Sequence, residues 1–357
     1  MTGMFDFNNN SHRRYNPLSD SWVLVSPHRT QRPWQGQQEK TSAGGLPEYD
    51  ATCYLCPGNT RATGPVNPKY ESTFVFLNDY AAVKVDQPPY EQSDADDDMK
   101  SRLLKAQGVR GTCFVICFSP KHNVTLPLMS VPEIEYVLET WTSLYFKMKT
   151  ETPFRYLQIF ENKGAVMGCS NPHPHCQAWC TESLPFEPAQ ELKSLRSYTA
   201  KHGTCLLCDY VAIELQEASR IVLQNDSFIA LVPFWAVWPF ETMIVAQSHT
   251  ASLLDFTPKQ KTDLADLMQK LTIRYDNLFE TSFPYSMGLH QAPINPIADE
   301  ADLSHFHMHF YPPLLRGATV RKFLVGFEML GEPQRDLTAE QAADRIRAVD
   351  EVHYLSK

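Results

Sequence analysis

The spacing of apolar and polar residues divides the chain into strands and helices whose order runs twice. Trp22-Val23-Leu24-Val25 and Phe114 to Phe118 read as short buried strands, and Thr73 to Val85 reads as two strands about an Asn78-Asp79 turn. Ser130-Val131-Pro132-Glu133 is a capping box that opens a helix with apolar residues at 134, 137, 138, 141, 144 and 145, one stripe at helical spacing. A strand from Phe154 to Phe160 follows, then a glycine-containing link from Asn162 to Gly168, whose small residues let backbone N–H groups approach a phosphate closely. The stretch Ser170-Asn171-Pro172-His173-Pro174-His175-Cys176-Gln177-Ala178-Trp179 comes next. If it is extended, His173, His175 and Gln177 share one face, and the small apolar Cys176, Ala178 and Cys180 share the other.

The second half restates this plan. Cys205-Leu206-Leu207-Cys208 echoes Cys53-Tyr54-Leu55-Cys56, and Asn225-Asp226 echoes Asn78-Asp79. His249 stands eight residues before the capping box at Thr257, as His122 stands eight before Ser130. A helix with Leu264, Leu267, Met268, Leu271 and Leu278 leads to a strand from Tyr285 to His290 and then to His307-Met308-His309. The expected architecture is therefore α+β and internally duplicated, with two half-units of mainly antiparallel sheet flanked by helices. Their expected bounds are 1–185, a junction at 186–204, and 205–357.

Composition narrows the function classes. The 357 residues, 43% hydrophobic, can bury a large core, and a net charge of −9 argues against nucleic acid as a partner. The polar start from Met1 to Asn10 has no apolar signal core, and no run approaches a membrane span, so a cytoplasmic protein is expected. Nine cysteines, an odd number, read better as thiols and metal ligands than as a disulfide framework.

Those ligands fall into sets. Cys53, Cys56, His122 and His173 form a Cys2His2 inventory for a closed tetrahedral Zn2+. A redox role for the first CxxC would want a following helix, and Pro57-Gly58 makes a turn instead. His175 is then free to act as a nucleophile toward phosphorus, with Gln177 donating to the transferred phosphoryl oxygens. General base in a hydrolase is its other role. A second metal is suggested by His290, His307 and His309 with the carboxylate of Glu191, a set that admits Fe2+ as readily as Zn2+. Some of these could instead be hydrogen-bonding pocket histidines. Arg29 and Arg32, on a proline-bounded loop, suit phosphate or pyrophosphate recognition, although an ordinary solvated basic loop has the same composition.

With these motifs in place, the chain resembles the galactose-1-phosphate uridylyltransferase family of the histidine-triad-like superfamily. The match covers His12 to Pro17, Ser26 to Gly36, Cys53 to Gly58, Phe160 to Trp179, Phe279 to Gly288 and Phe310 to Gln341. The resemblance implies a histidine-triad-like fold and transfer of UMP from UDP-glucose to galactose-1-phosphate, giving glucose-1-phosphate and UDP-galactose by a ping-pong route through uridylyl-His175. It implies nucleotide contacts at Arg29, Arg32, Asn78, Asp79, Asn162, Gly168 and Ser170, and sugar-phosphate contacts at Lys322, Phe323, Val325, Glu328 and Gln334. It implies zinc on Cys53, Cys56, His122 and His173, and iron or zinc on Glu191, His290, His307 and His309. A homodimer with each active site completed by the partner chain is also implied, with neither nucleic acid nor membrane as partner. A phosphorylase or hydrolase of the same superfamily is the alternative. Cys205 and Cys208 depart from many relatives. With His249 and His307 they would compose a rival metal set, against which Glu191 is preferred because His290 and His309 would otherwise lack a role.

Overall fold

The computed structural model describes residues 4–31, 45–90 and 99–357. A hairpin of β1 (His12–Asn16) and β2 (Ser21–Val25) opens it, followed by β3 (Phe74–Leu77), a short helix α1 (Met99–Leu103) and β4 (Gly111–Cys117). Then come α2 (Val131–Glu151), β5 (Tyr156–Lys163), β6 (His175–Thr181), α3 (Phe186–His202) and α4 (Leu206–Glu217). The second series is β7 (Ile221–Gln224), β8 (Phe228–Leu231), β9 (Thr242–Ala246), α5 (Pro258–Leu278), β10 (Tyr285–His290), α6 (Glu300–Leu303) and β11 (His307–Tyr311). The tail holds β12 (Leu314–Gly317), β13 (Val320–Arg321), α7 (Phe327–Leu330), β14 (Gln334–Arg335) and α8 (Ala339–Arg347). Among the described residues no helix is long and apolar enough to cross a membrane.

Nine strands form one antiparallel sheet in the order β3-β4-β6-β5-β10-β11-β9-β8-β7. Read outward from the β5–β10 seam, the order β5, β6, β4, β3 on one side is matched by β10, β11, β9, β8 on the other. The duplicated α+β architecture expected from the sequence is therefore present as a single continuous sheet.

Strand alternation gives the sheet two unlike faces. One is dry: Cys176, Ala178 and Cys180 of β6 join Ile116, Ile159, Met287, Met308 and Ile244 beneath α2 and α5 in the main core. Both helices begin at capping boxes, Ser130 with Glu133 and Thr257 with Gln260, and each turns a stripe spaced three and four residues apart into that core. The other face carries His175, Gln177, His307 and His309 near its middle. It is flanked by a small cluster of Cys53, Leu55, Cys56, Val115 and Cys117 and by a larger one that packs α3 and α4 on β8 and β9.

Several boundaries differ from the sequence reading. Residues 73–85 hold one strand rather than two. The Asn78 side chain accepts the Tyr80 amide at 2.9 Å and turns the chain, which returns only as the isolated bridge Lys84↔Arg110 because β4 is already bonded on both edges, by β3 and β6. The strand expected from Phe154 starts at Tyr156 and runs on to Lys163, since β10 pairs with it as far as that residue. The interval 186–204 is mostly the helix α3.

The tail folds back on the start of the chain, where β14 pairs in parallel with β2. Arg14 reaches Glu340 of α8 with two 3.0 Å bonds, and Arg220 reaches the same carboxylate at 2.9 Å, tying the first hairpin to the second half.

Trp141 of α2 is fully buried and donates its indole N–H to Cys176 Sγ at 3.2 Å, so the main core braces the strand that bears His175. Trp141→Ala should cost about 3–5 kcal/mol, seen as a lower midpoint in urea denaturation; an unchanged midpoint would contradict this packing.

Candidate active site and metal centres

His175 opens β6, on the face opposite the core, and is half-buried. Its Nδ1 lies 2.7 Å from the carbonyl oxygen of His173. A carbonyl only accepts, so Nδ1 carries the proton and donates, which leaves Nε2 with its lone pair. Burial holds the imidazole below its ordinary pKa, opposed by that hydrogen bond, so the ring is neutral near pH 7. Gln177, one pleat along, accepts on Oε1 from Trp179 Nε1 at 3.0 Å and from Asn78 Nδ2 at 3.4 Å. With Oε1 engaged, the Nε2 hydrogens are what Gln177 can offer a ligand.

His173 precedes the strand and turns into a buried group with Cys53, Cys56 and His122, whose ligand atoms lie within 4.8 Å of one another. Its Nε2 meets the Ser119 carbonyl at 2.9 Å, so Nδ1 presents a lone pair 3.5 Å from Cys56 Sγ; His122 Nδ1 is 3.6 Å from the same sulfur. A tetrahedral zinc with Zn–S of about 2.3 Å and Zn–N of about 2.0–2.1 Å separates sulfur from nitrogen by about 3.6 Å. Burial also lowers the His173 pKa to about 4, which keeps the ring neutral as a ligand must be. The Leu55 amide donates to Cys53 Sγ at 3.3 Å, support of the kind that stabilises a thiolate. These four residues fit a zinc ion.

The second group joins three elements. Glu191 of α3 takes His290 Nδ1 of β10 on Oε2 at 2.7 Å, with His307 Nε2 at 3.3 Å and His309 Nε2 at 3.5 Å from β11. Burial alone would push the Glu191 carboxyl up, but adjacent His290 and His307 outweigh it and hold the group well below the usual carboxylate range. His290 is shifted the opposite way: burial lowers it, and Glu191 more than restores it. The His307 and His309 Nε2 atoms are buried without a hydrogen-bond partner. Orphaned imidazole nitrogens facing a carboxylate fit a divalent cation, since buried polar atoms otherwise find partners.

A third set differs from the rival set read from the sequence. Cys205 and Cys208 converge with His249, and the fourth member is His305, not His307. The reason is register: His305, not His307, matches His173 in the duplication, because both precede their strand and both give a carbonyl to the next histidine. His307 thereby goes to Glu191 and the two sets do not compete. Aligning the repeat on His307-Met308-His309 sets it two residues late and hides His305; the run His305-x-His307-x-His309 is the signal for it.

The remaining residues lie in two places. Around β6, Asp79 lies 3.8 Å from Arg61, Asn162 accepts from Ser286 Oγ at 2.7 Å, Gly168 takes a left-handed φ of 81°, and Ser170 is exposed. The other group sits by β14: Arg29 Nε meets Asp336 at 3.0 Å, Gln334 Nε2 meets the same oxygen at 2.8 Å, and Lys322 bonds both Glu328 and Gln334. Phe323 and Val325 stand beside it, 44% and 58% exposed. Among the described residues, none of the polar contacts of Lys322, Glu328, Gln334 or Arg29 reaches His175 or Gln177. Arg32 lies outside the described residues.

A doubled antiparallel unit that presents a His-x-His-x-Gln strand beside a Cys2His2 group defines an enzyme of the histidine-triad-like class. Comparison makes this specific. The model of the galactose-1-phosphate uridyl transferase N-terminal domain matches residues 3–185, and that of its C-terminal domain matches 191–357. The galactose-1-phosphate uridylyltransferase of Saccharomyces cerevisiae is 59% identical over 99% of this chain and 98% of its own length; that of Haemophilus influenzae is 53% identical over 99% of each. A uridylyltransferase of known structure superposes with a TM-score of 0.72 at 27% identity, covering 94% of this chain and 97% of that one. An ADP-glucose phosphorylase from Arabidopsis thaliana shares the fold, with a TM-score of 0.73 at 20% identity over 96% and 99% of the two chains. The chain belongs to the galactose-1-phosphate uridylyltransferase family.

Proposed function

We propose that this enzyme moves UMP from UDP-glucose to galactose-1-phosphate through a covalent uridylyl-His175, in galactose metabolism. The observation that carries the reading is the 2.7 Å bond from His175 Nδ1 to the His173 carbonyl, which leaves Nε2 unprotonated. In the first half-reaction Nε2 attacks the α-phosphorus of UDP-glucose; the bond from that phosphorus to the bridging oxygen breaks, and glucose-1-phosphate leaves with the oxygen. A phosphate oxygen of galactose-1-phosphate then attacks the same phosphorus, the N–P bond breaks, and UDP-galactose departs. No net proton is gained or lost. The positive charge on the ring of the intermediate falls partly on Nδ1–H, where the carbonyl accepts it. Gln177 Nε2 donates to the phosphoryl oxygens, and Asn78, Asp79, Asn162, Gly168 and Ser170 bind the nucleotide.

Zinc on Cys53, Cys56, His122 and His173 holds His173, and through its carbonyl aims His175. Iron or zinc on Glu191, His290, His307 and His309 fastens α3 to β10 and β11. Both are structural roles. The half-units are residues 1–185 and 205–357, joined by 186–204. Nine cysteines without a disulfide support a cytoplasmic setting.

Arg29, Lys322, Phe323, Val325, Glu328 and Gln334 act on the sugar phosphate and nucleotide across a homodimer interface. Among the described residues, none of the polar contacts of Arg29, Lys322, Glu328 or Gln334 reaches His175, which supports this, as does the exposure of Phe327, Met329 and Leu330 on the same segment, the last at 91%. Partner contact would cover those side chains.

Incubation with UDP-glucose and no acceptor should give a stoichiometric burst of glucose-1-phosphate and an intact-mass gain equal to a uridylyl group, both lost in His175→Ala. Continuous release without an adduct would instead indicate hydrolysis. Protonated His175 has no lone pair, and burial places its pKa below the ordinary value of about 6.5, so the acid limb of the burst rate should fall below that pH; a limb at higher pH would contradict the assignment. Chains bearing His175→Ala, inactive alone, and Lys322→Ala, weakened alone, should regain activity when co-expressed, since one site of the mixed dimer is intact. Absence of any recovery would remove the shared site.

A further inference from the structure

Beyond the two centres above, the duplicated half holds a ligand set that the transfer reaction does not use. Cys205 directly precedes α4 and Cys208 is that helix's third residue; His249 follows β9, and His305 lies just before β11. We infer that Cys205, Cys208, His249 and His305 hold a third, structural zinc ion in each chain, the counterpart of the one assigned to Cys53, Cys56, His122 and His173.

Three observations carry this. The first is distance: His305 Nδ1 lies 3.4 Å from Cys205 Sγ and 3.5 Å from Cys208 Sγ, and His249 Nδ1 lies 3.7 Å from Cys208 Sγ. These bracket the sulfur–nitrogen edge of about 3.6 Å that a tetrahedral zinc imposes. One imidazole lone pair can accept a hydrogen bond from one thiol, but here it faces two sulfurs equally. A single cation between them satisfies all three atoms.

The second is the tautomer. His305 Nε2 meets the Ala246 carbonyl at 2.7 Å and His249 Nε2 meets the Asp302 carbonyl at 2.9 Å. Both Nε2 atoms must therefore donate, and both Nδ1 lone pairs point at the sulfurs. Backbone carbonyls that fix the coordinating nitrogen of a histidine are the usual outer support of a zinc site.

The third is correspondence. Ala246 stands three residues before His249, as Ser119 stands three before His122, and each supplies the carbonyl to the partner histidine, His305 or His173. His305 then gives its own carbonyl to His307 Nδ1 at 2.7 Å, as His173 does to His175. The ion would stand behind His307, a member of the Glu191 set, as the first zinc stands behind the nucleophile.

The competing use of a CxxC at a helix start is a redox pair, which would leave both histidines idle. Metal analysis of the full-length protein purified with zinc, and of protein reconstituted with Co2+, separates the two. Cys205→Ser/Cys208→Ser should lose one ion per chain and half the thiolate-to-cobalt charge-transfer absorption. Cys53→Ser/Cys56→Ser should lose the other half. An unchanged ion count and unchanged absorption in the Cys205/Cys208 variant would overturn the site. Because a variant can fail to fold, the wild-type protein supplies an independent reading: Cys205 and Cys208 should resist alkylation until a chelator is added. Equal alkylation rates before and after the chelator would also overturn it. Neither readout depends on the transfer reaction, so failure here leaves the uridylyl-histidine untouched, and the reverse.

Discussion

The pairing of β5 with β10 is the contact on which the rest of the molecule depends. Tyr285↔Lys163, Ser286↔Asn162, Met287↔Glu161 and Gly288↔Phe160 join two small sheets, each with one capped helix, into a single nine-stranded one. Two consequences follow from that register. The apolar faces of both halves align, so α2 and α5 can pack on each other over one continuous core instead of closing two marginal ones. The polar positions align as well, which brings the strand of His175 and Gln177 onto the same face as the strand of His307 and His309. Slipping the seam by one residue would put His307 and His309 on the opposite face from His175 and Gln177.

On that face, chemistry is directed by a short-range device used twice. A histidine just before the strand binds the thiol cluster and offers its carbonyl to the histidine two residues on. Such a bond settles which ring nitrogen is free, at a cost of only one backbone acceptor. It also gives a rigid cluster at the sheet's flank control over a ring that points to its middle. The coupling is through backbone rather than a long side chain, so it loses little to rotamer freedom.

Much of this was legible in the sequence because it is local. Alternation in Cys176, Gln177, Ala178 separated the core face from the reacting face, and the capping boxes at Ser130 and Thr257 fixed where both long helices start. CxxC spacing gathered Cys53 and Cys56, and alternation put His307 and His309 on one face of their strand. What escaped was non-local. Whether residues 80–85 form a strand depended on a partner edge already taken in the sheet. The role of His305 depended on a register that three alternating histidines leave ambiguous by two residues. The network of Arg29, Asp336, Gln334 and Lys322 required β14 to return to β2, and no short-range pattern announces a parallel pairing across the length of the chain.

The duplication also explains why the two halves need not do the same work. His307 stands where His175 stands, His309 where Gln177 stands, and His290, two residues past Gly288, where Asn162 lies two past Phe160. In the second half these three positions are imidazoles, and Glu191 reaches in from α3, so the lone pair on His307 Nε2 faces a carboxylate and two further rings. That arrangement suits a cation and consumes the nucleophile. In the first half His175 keeps its imidazole and the other two positions are amides. Gln177 and Asn162 are poor ligands for a borderline metal but good donors to an anion, and they leave His175 Nε2 free. Replacing two imidazoles by two amides thus separates a position that binds metal from one that attacks phosphorus, on a backbone and hydrogen-bond pattern otherwise shared.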